Sequence, residues 1–438
     1  MKIHEIILNI LRREVAPSVG CTEPVAIALN GAYAASILQG LGEQINSIEL
    51  NLSKGIYKNG MDVGIPGTEK TGLDVATTLG IALADPSNGL ELLGSIGENE
   101  RKLSDYMLEY IPPMITPLKE SKPIFIETII KTDNHIICAI TEDKHDNITS
   151  LQLDGIDLPV EKKDLLTKNS TADLTEFYNL SIDEIVKAIE DIPAVDLEFL
   201  LDGLKVNLGV ANMGTVNPYG LAVGYNSHLN MEEGLVSRDL VNLAFTLTAA
   251  ASDVRMSGER IPVMSSSGSG NNGLTAILPI AAFHELQPVD DEKLSRALAI
   301  SHIITGYVKV YIGRLSNICT CSIAASIGSG SAIAWILGGR SIIGDTINNI
   351  IANQAGVICD GAKPGCALKL GTAASTAIQS ALLAYRGTRL IEPNGLADTI
   401  PENSIRNLAA LSSKGMTNVD NTIIDIMEKR HINPSTIC

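Results

Sequence analysis

The sequence predicts an α+β domain followed by an all-helical one. Three observations point there: helical and strand periods mix through the first 180 residues, the texture turns helical and rich in Ala, Leu, Ile and Gly from about Ser181, and aromatic side chains are scarce, with a single tryptophan, Trp335. At 438 residues the chain is long enough for two ordinary cores. The expected division is residues 1–180 and 181–438, with the join between Thr171 and Asn207.

The opening stretch MKIHEIILNILRREVAPS sets Ile and Leu at helical spacing among Glu and Arg, which reads as a surface helix and lacks the uninterrupted apolar core of a signal peptide. A helical pattern continues to about Gly40. Alternation in SIELNLSKGIYKNGMDVGIP, residues 47–66, reads as strand, and PIFIETIIKTD, NHIICAITED and NITSLQLDG are further strand-like runs split by turn residues. In the second half, small residues let helices approach closely, so a compact helical domain is expected. The uncharged run Cys321–Gly339, CSIAASIGSGSAIAWILGG, has about the length of a membrane span. Its glycines and serines, with no second span and no basic flanking loop, favour a buried helix of a soluble protein.

A formal net charge of -17 disfavours nucleic acid and anionic membrane surfaces as partners, leaving small molecules, and a homo-oligomer is compatible with it. Seven cysteines at irregular spacing do not form a disulfide framework and read as reduced thiols of a cytoplasmic protein. The histidines form no His-x3-His or His-Glu-x2-His pair, and His302 on an apolar helix reads as a satisfied core residue.

Two glycine-rich stretches carry opposite messages. GMDVGIPGTEKTG, Gly60–Gly72, lacks the Gly-Lys-Ser/Thr ending of a phosphate loop and excludes an NTPase of that kind. MSSSGSGNNG, Met264–Gly273, stacks hydroxyls, amides and glycines just before an apolar helical run, which makes either an anion pocket at a helix N-terminus or a solvated capping loop.

The thiols of the second half are Cys319 and Cys321 in NICTCSIAAS, then Cys359 and Cys366 in CDGAKPGC. Their spacing is unlike that of structural zinc, which wants two close pairs. An iron–sulfur cluster accepts more varied spacing, and three thiolates would leave one iron open for substrate. Ordinary buried cysteines are the other reading. Gly and Pro between Cys359 and Cys366 place the second thiol on a turn, which favours the cluster.

Five blocks carry a resemblance: GCTEPVAIAL from Gly20, YKNGMDVGIPGT from Tyr57, SSSGSGNNG from Ser265, CTCSIAASIGSGSAIAWILGG from Cys319 and ICDGAKPGCALK from Ile358. In this order, across nearly the whole chain, they resemble the L-cysteine desulfidase family, which is related to the iron–sulfur L-serine dehydratase alpha chains. Cys359-Asp360 is similar to the Cys-Asp-Pro motif of the dehydratases, but Gly361 stands in place of the proline and the next cysteine follows sooner, which favours the desulfidase branch. The resemblance implies a [4Fe-4S] cluster on three cysteines, no pyridoxal phosphate, and α,β-elimination of L-cysteine to sulfide, pyruvate and ammonia with an open iron as Lewis acid.

Spacing within these motifs points to Cys319, Cys359 and Cys366 as the cluster ligands, with Cys321 competing for the first position. Cys21 occupies the family's position for an additional cysteine and is expected to move the Cα proton; Glu23 is a competing base or a first-turn helix carboxylate. The substrate carboxylate is expected on the Ser265–Asn272 loop through Ser266, Ser267, Gly268, Asn271 and Asn272, with Asn59 and Thr68 closing the pocket from the first domain. An L-serine dehydratase, and a non-catalytic binding protein stabilised by metal on the same thiols, are the alternatives. Cys138, in a strand pattern, reads as core. Cys438 carries a thiol and a free carboxylate on the frame of L-cysteine, so the tail is either a substrate mimic at the open iron or a frayed terminus.

Overall fold

The computed structural model describes residues 3–160, 171–313 and 315–432; Cys438 lies outside the described residues. The first part of the chain runs α1 (Ile3–Glu14), β1 (Pro17–Ser18), α2 (Thr22–Leu38), β2 (Ser47–Leu52), α3 (Lys54–Gly60), α4 (Leu73–Leu83), α5 (Glu98–Tyr110), β3 (Met114–Pro117), β4 (Phe125–Lys131), β5 (Ile136–Glu142), β6 (Ile148–Leu153) and β7 (Ile156–Asp157). Strict alternation buries Ile48, Leu50 and Leu52 on one face of β2 and Ile126, Thr128 and Ile130 on the same face of its neighbour β4. The sheet order is β3-β2-β4-β5-β6-β7, antiparallel except for the parallel β2–β3 pair.

Helix α2 is buried nearly all round because it lies between this sheet and α4. Glycine is required at the crossing: a Cβ on Gly80 would come within 2.0 Å of the Ala28 carbonyl oxygen. The strand expected through residue 66 stops at Leu52. Ile56 and Gly60, four apart, both face inward, so a helical stripe lies inside what reads as alternation and forms α3. Cys138 is a second departure. It is half-buried against Glu127, on the face of β5 opposite the core residues Ile137 and Ala139, because neighbours in a strand point apart.

Helices follow: α6 (Thr171–Tyr178), α7 (Ile182–Glu190), α8 (Leu200–Val216), α9 (Val223–Glu232), α10 (Leu240–Met256), then the short β8 (Val263–Met264), α11 (Gly270–Leu286), α12 (Asp291–Ile312), α13 (Thr320–Gly338), α14 (Ile343–Gln354), α15 (Cys366–Tyr385), α16 (Pro401–Ala410) and α17 (Val419–Ile432). The chain is therefore a mixed α/β region followed by a mostly helical part. Helix α13 is long and apolar enough to cross a membrane by length and composition, yet it is mostly buried against α11, α12, α14 and α15. Two of its serines bond within the helix, Ser326 donating to the Ile323 carbonyl at 3.1 Å and Ser329 to that of Ala325 at 3.0 Å.

The two regions are stitched at both ends of the chain. The amphipathic α1 buries Ile6, Ile7, Ile10 and Leu11 in the helical body, packing on α6, α7 and α12. Near the other terminus α17 returns to α3, and β1 pairs with β8. These crossings bring the start of α2 against the loop that precedes α11.

Candidate active site

Between the two regions lies a cavity of about 100 Å³, into which the N-terminal ends of four helices converge. Cys21 stands at the N-cap of α2, Ser269 at that of α11 and Cys319 at that of α13, while Cys366 is the first residue of α15. Each such end presents unsatisfied N–H groups and the positive end of a helix dipole, so four of them favour anionic contents.

Five thiols line the cavity: Cys21, Cys319, Cys321, Cys359 and Cys366. The segments carrying two of them are tied by backbone bonds. Cys319 N–H donates to the Val357 carbonyl at 2.9 Å, Cys359 N–H donates to that of Asn317 at 2.8 Å, and Ile318 and Ile358 form an antiparallel bridge. The turn after Asp360 requires glycine, since Gly361 has φ +96° and a Cβ there would meet the Lys58 carbonyl at 2.2 Å. That turn returns the chain so that Cys366 opens α15 beside Cys319. Asp360 grips Lys363 and Lys369; burial opposes its charge, but the two lysines outweigh burial and hold the carboxyl below its usual range.

Buried cations complete this wall. Lys309 donates to the Ser267 carbonyl at 2.7 Å, and Arg255 donates to Asn271 Oδ1 at 2.9 Å and to the Gly20 carbonyl at 2.5 Å. Lys369 lines the cavity as well. Behind the Cys359 segment, outside the cavity lining, Lys58 of α3 is 2% exposed, donates to the Cys359 carbonyl at 2.9 Å and pairs with Asp420 of α17 at 2.6 Å. In a chain of net charge -17, this concentration of positive groups marks the cavity as a place for anions. Ser267 is held in the left-handed region at φ +50°, a conformation costly for a serine, with its carbonyl on Lys309.

The opposite wall comes from the α/β region. Cys21 Sγ donates to Glu23 Oε2 at 3.0 Å, Asn59 Nδ2 donates to Glu23 Oε1 at 3.0 Å, and His145 reaches the cavity from the turn between β5 and β6. Burial pushes Glu23 up, but the attraction of His145 and the bonds from Cys21 and Asn59 prevail and hold it below its usual value. Burial, then the Glu23 charge, push the Cys21 thiol well up.

The donor set suits a thiolate-bound cluster. Burial raises each of Cys319, Cys321 and Cys359, and burial followed by the Cys319 charge pushes Cys366 up to about 12. Crowded thiols cannot ionise together unaided, whereas a bound metal group turns each into a ligand. The five thiols line the cavity, and among the described residues no three His, Cys, Asp or Glu side chains are arranged to hold a single metal ion. Several thiols around one cavity fit a cluster better than a lone hard cation.

Of the residues expected from the sequence, Cys21, Asn59, Ser267, Gly268, Asn271, Cys319, Cys359 and Cys366 line the cavity, together with Cys321. Thr68 does not. Its hydroxyl donates to the Ile65 carbonyl at 2.9 Å within its own turn, and it borders a separate groove with Lys70 and Arg260. Ser266 is fully buried beneath the loop and pairs with His302 Nδ1 at 2.9 Å; Asn272 is fully buried in α11. Both turn away because the loop tightens into a Ser266–Ser269 bridge and α11 rotates successive residues by about 100°. His302 sits in the core, where burial lowers its basicity to about 3.

Sequence reasoning passed over Arg255, Lys309, Lys58, Lys369 and His145. A signal existed for two of them: Lys309 in ITGYVKVYIG is the one charged residue of a mostly apolar helical run, and Arg255 in TAAASDVRM follows a run of small residues. His145, in the polar turn EDKHDN, offered none.

Comparison with known proteins identifies the family. The family model of the serine dehydratase alpha chain matches residues 87–425. A UPF0597 protein of Clostridioides difficile (strain 630) is 45% identical over 96% of this chain and 98% of its own. A UPF0597 protein of Alkaliphilus oremlandii is 42% identical over 98% and 99%, and one of Desulfatibacillum aliphaticivorans 40% over 97% and 98%. The family model takes in the four thiols of the helical wall, while Cys21, Glu23 and Asn59 precede it.

Proposed function

The chain belongs to the serine dehydratase alpha chain family, and on that premise we propose that it is a cytoplasmic L-cysteine desulfidase, a lyase releasing sulfide, pyruvate and ammonia. The single observation that carries this reading is the placing of Cys21 with its carboxylate partner across one cavity from four further thiols. Cys319, Cys359 and Cys366 would hold a [4Fe-4S] cluster. That cluster, when bound, supplies a Lewis-acidic iron for the leaving sulfur.

The chain's own residues do the rest. The N–H groups at the start of α11, with Arg255 and Lys309 beside them, orient the substrate carboxylate. Cys21 takes the proton from Cα, and the electron pair left behind forms the Cα=Cβ bond as the Cβ–S bond breaks. The aminoacrylate product tautomerises to its imine, and water completes the hydrolysis without a further residue. The four α15- and α13-side thiols and the absence of a Schiff-base motif in the sequence make pyridoxal phosphate unnecessary to this scheme.

L-Serine dehydration is the second reading, favoured by the name of the matching family model. Gly361 in place of the dehydratase proline favours cysteine. Anaerobic purification with iron and acid-labile sulfide analysis, followed by sulfide release from L-cysteine and pyruvate formation from L-serine, tests both. The expected result is about four irons per chain, brisk turnover of cysteine and poor turnover of serine. Comparable turnover of serine would move the protein to the dehydratases, and metal binding with neither activity would leave a binding protein.

A further inference from the structure

Glu23 is 9% exposed, and both of its oxygens are committed to the cavity wall: one accepts from the Cys21 thiol and the other from Asn59, each at 3.0 Å. A carboxylate in the first turn of a helix needs neither burial nor a thiol partner to stabilise that helix. A buried thiol beside a carboxylate, in turn, is a poor base by itself, since it carries its proton in the resting state. The two difficulties resolve each other.

We propose that Cys21 and Glu23 work as a pair sharing one proton, with Glu23 accepting the thiol proton as the sulfur takes the proton from the substrate Cα. The inference rests on the reading of Cys21 as the base of the elimination. Before reaction the pair is thiol and carboxylate. As the Cα–H bond breaks, its electrons form the Cα=Cβ bond, the Cβ–S bond breaks and hydrosulfide leaves. The pair is then thiol and carboxylic acid. That added proton returns through Cys21 to the hydrosulfide, releasing hydrogen sulfide and restoring the pair, so L-cysteine becomes hydrogen sulfide and 2-aminoacrylate with no other reactant.

The surroundings suit this exchange. Asn59 fixes the rotamer of Glu23, and His145 from the β5–β6 turn acts on it electrostatically, while Arg255 of α10 acts on the Cys21 side. Positive groups thus flank both places where the negative charge of the pair can reside. Geometry also meets the requirement for proton transfer, a heavy-atom separation within about 2.6–3.2 Å. Glu23 acts through Cys21 and is therefore a positioning residue and proton store.

The test compares wild type, Glu23→Gln and Glu23→Asp as anaerobically prepared holoenzymes. Measurements are iron content, sulfide release from L-cysteine and from α-deuterated L-cysteine, and exchange of the α-proton of L-alanine with D2O. In Glu23→Gln, iron and KM should stay near wild type, kcat should fall by roughly 10²–10⁴-fold, the α-deuterium isotope effect should rise, and exchange into alanine should cease. Glu23→Asp should recover part of both kcat and exchange. A Glu23→Gln enzyme within about threefold of wild-type kcat overturns the proposal, as does a loss of kcat with an unchanged isotope effect. Loss of iron in both variants would assign Glu23 to cluster binding and overturn it too. A wild type inactive on both L-cysteine and L-serine would sink the lyase reading itself, a separate result from an active wild type with an unimpaired variant.

Discussion

The two walls of the cavity are built on different principles. The helical wall is anchored by backbone: the Cys319 and Cys359 segments are laced by main-chain bonds, Gly361 turns over the Lys58 carbonyl, and helix ends and lysines supply positive charge. The α/β wall is a chain of side-chain bonds, Cys21 to Glu23 to Asn59, mounted on the ends of α2 and α3. Backbone lacing suits a site that must hold thiols around a rigid inorganic group. Side-chain bonds suit a site that must move a proton. Under the proposed function this difference would be a division of labour, one wall holding the cluster and the other moving the proton.

Variants can break that contrast. The largest effect belongs to the holding wall. Cys359→Ala should lose its iron and all turnover, and Cys319→Ala and Cys366→Ala should behave alike, whereas Cys321→Ser should keep its iron; full iron and acid-labile sulfide in Cys359→Ala would refute the ligand assignment. Next comes the reacting wall. Cys21→Ala should retain iron and visible absorbance while kcat for L-cysteine falls by about 10²–10⁴-fold, and an iron-free Cys21→Ala protein would erase the distinction between the walls.

A smaller effect sharpens the comparison. Lys309→Met removes one cation proposed to orient the carboxylate and also leaves the Ser267 carbonyl without its lysine, so KM should rise by roughly 10- to 100-fold, the worth of one charge-assisted hydrogen bond, with iron unchanged. An effect confined to kcat would place Lys309 with the proton chemistry instead. The smallest effect is expected at Thr68→Val. Its hydroxyl serves only its own turn, so steady-state kinetics should match wild type within about twofold, and a large rise in KM would return Thr68 to the pocket.

Much of this was legible from residue patterns. The alternation in SIELNL and FIETIIK reads as strands with one buried face, and both are. The uncharged run Cys321–Gly339 reads as a buried helix of small residues, and the helix found is Thr320–Gly338. The thiol and loop motifs read as parts of one site, and the structure brings most of them together. Thr68, Ser266 and Asn272 lie off the cavity for separate reasons that composition does not reveal: the Thr68 hydroxyl is used by its own turn, Ser266 pairs with His302 of α12 beneath the loop, and Asn272 is buried on the inner side of α11.

The sequence by itself determined the elements and the chemical inventory, because periodicity, turn residues and reactive side chains are local properties of the chain. Only the tertiary structure decided which charges face the thiols. Arg255, Lys309, Lys58 and His145 arrive from α10, α12, α3 and the β5–β6 turn, and Cys21 and Cys359 are more than three hundred residues apart in the chain. Whether two such groups meet depends on how helices and sheet pack, through close approaches such as Gly80 on Ala28 and the return of α17 to α3. Electrostatic strength falls with distance and rises with burial, and neither distance nor burial is written at any single position of the sequence.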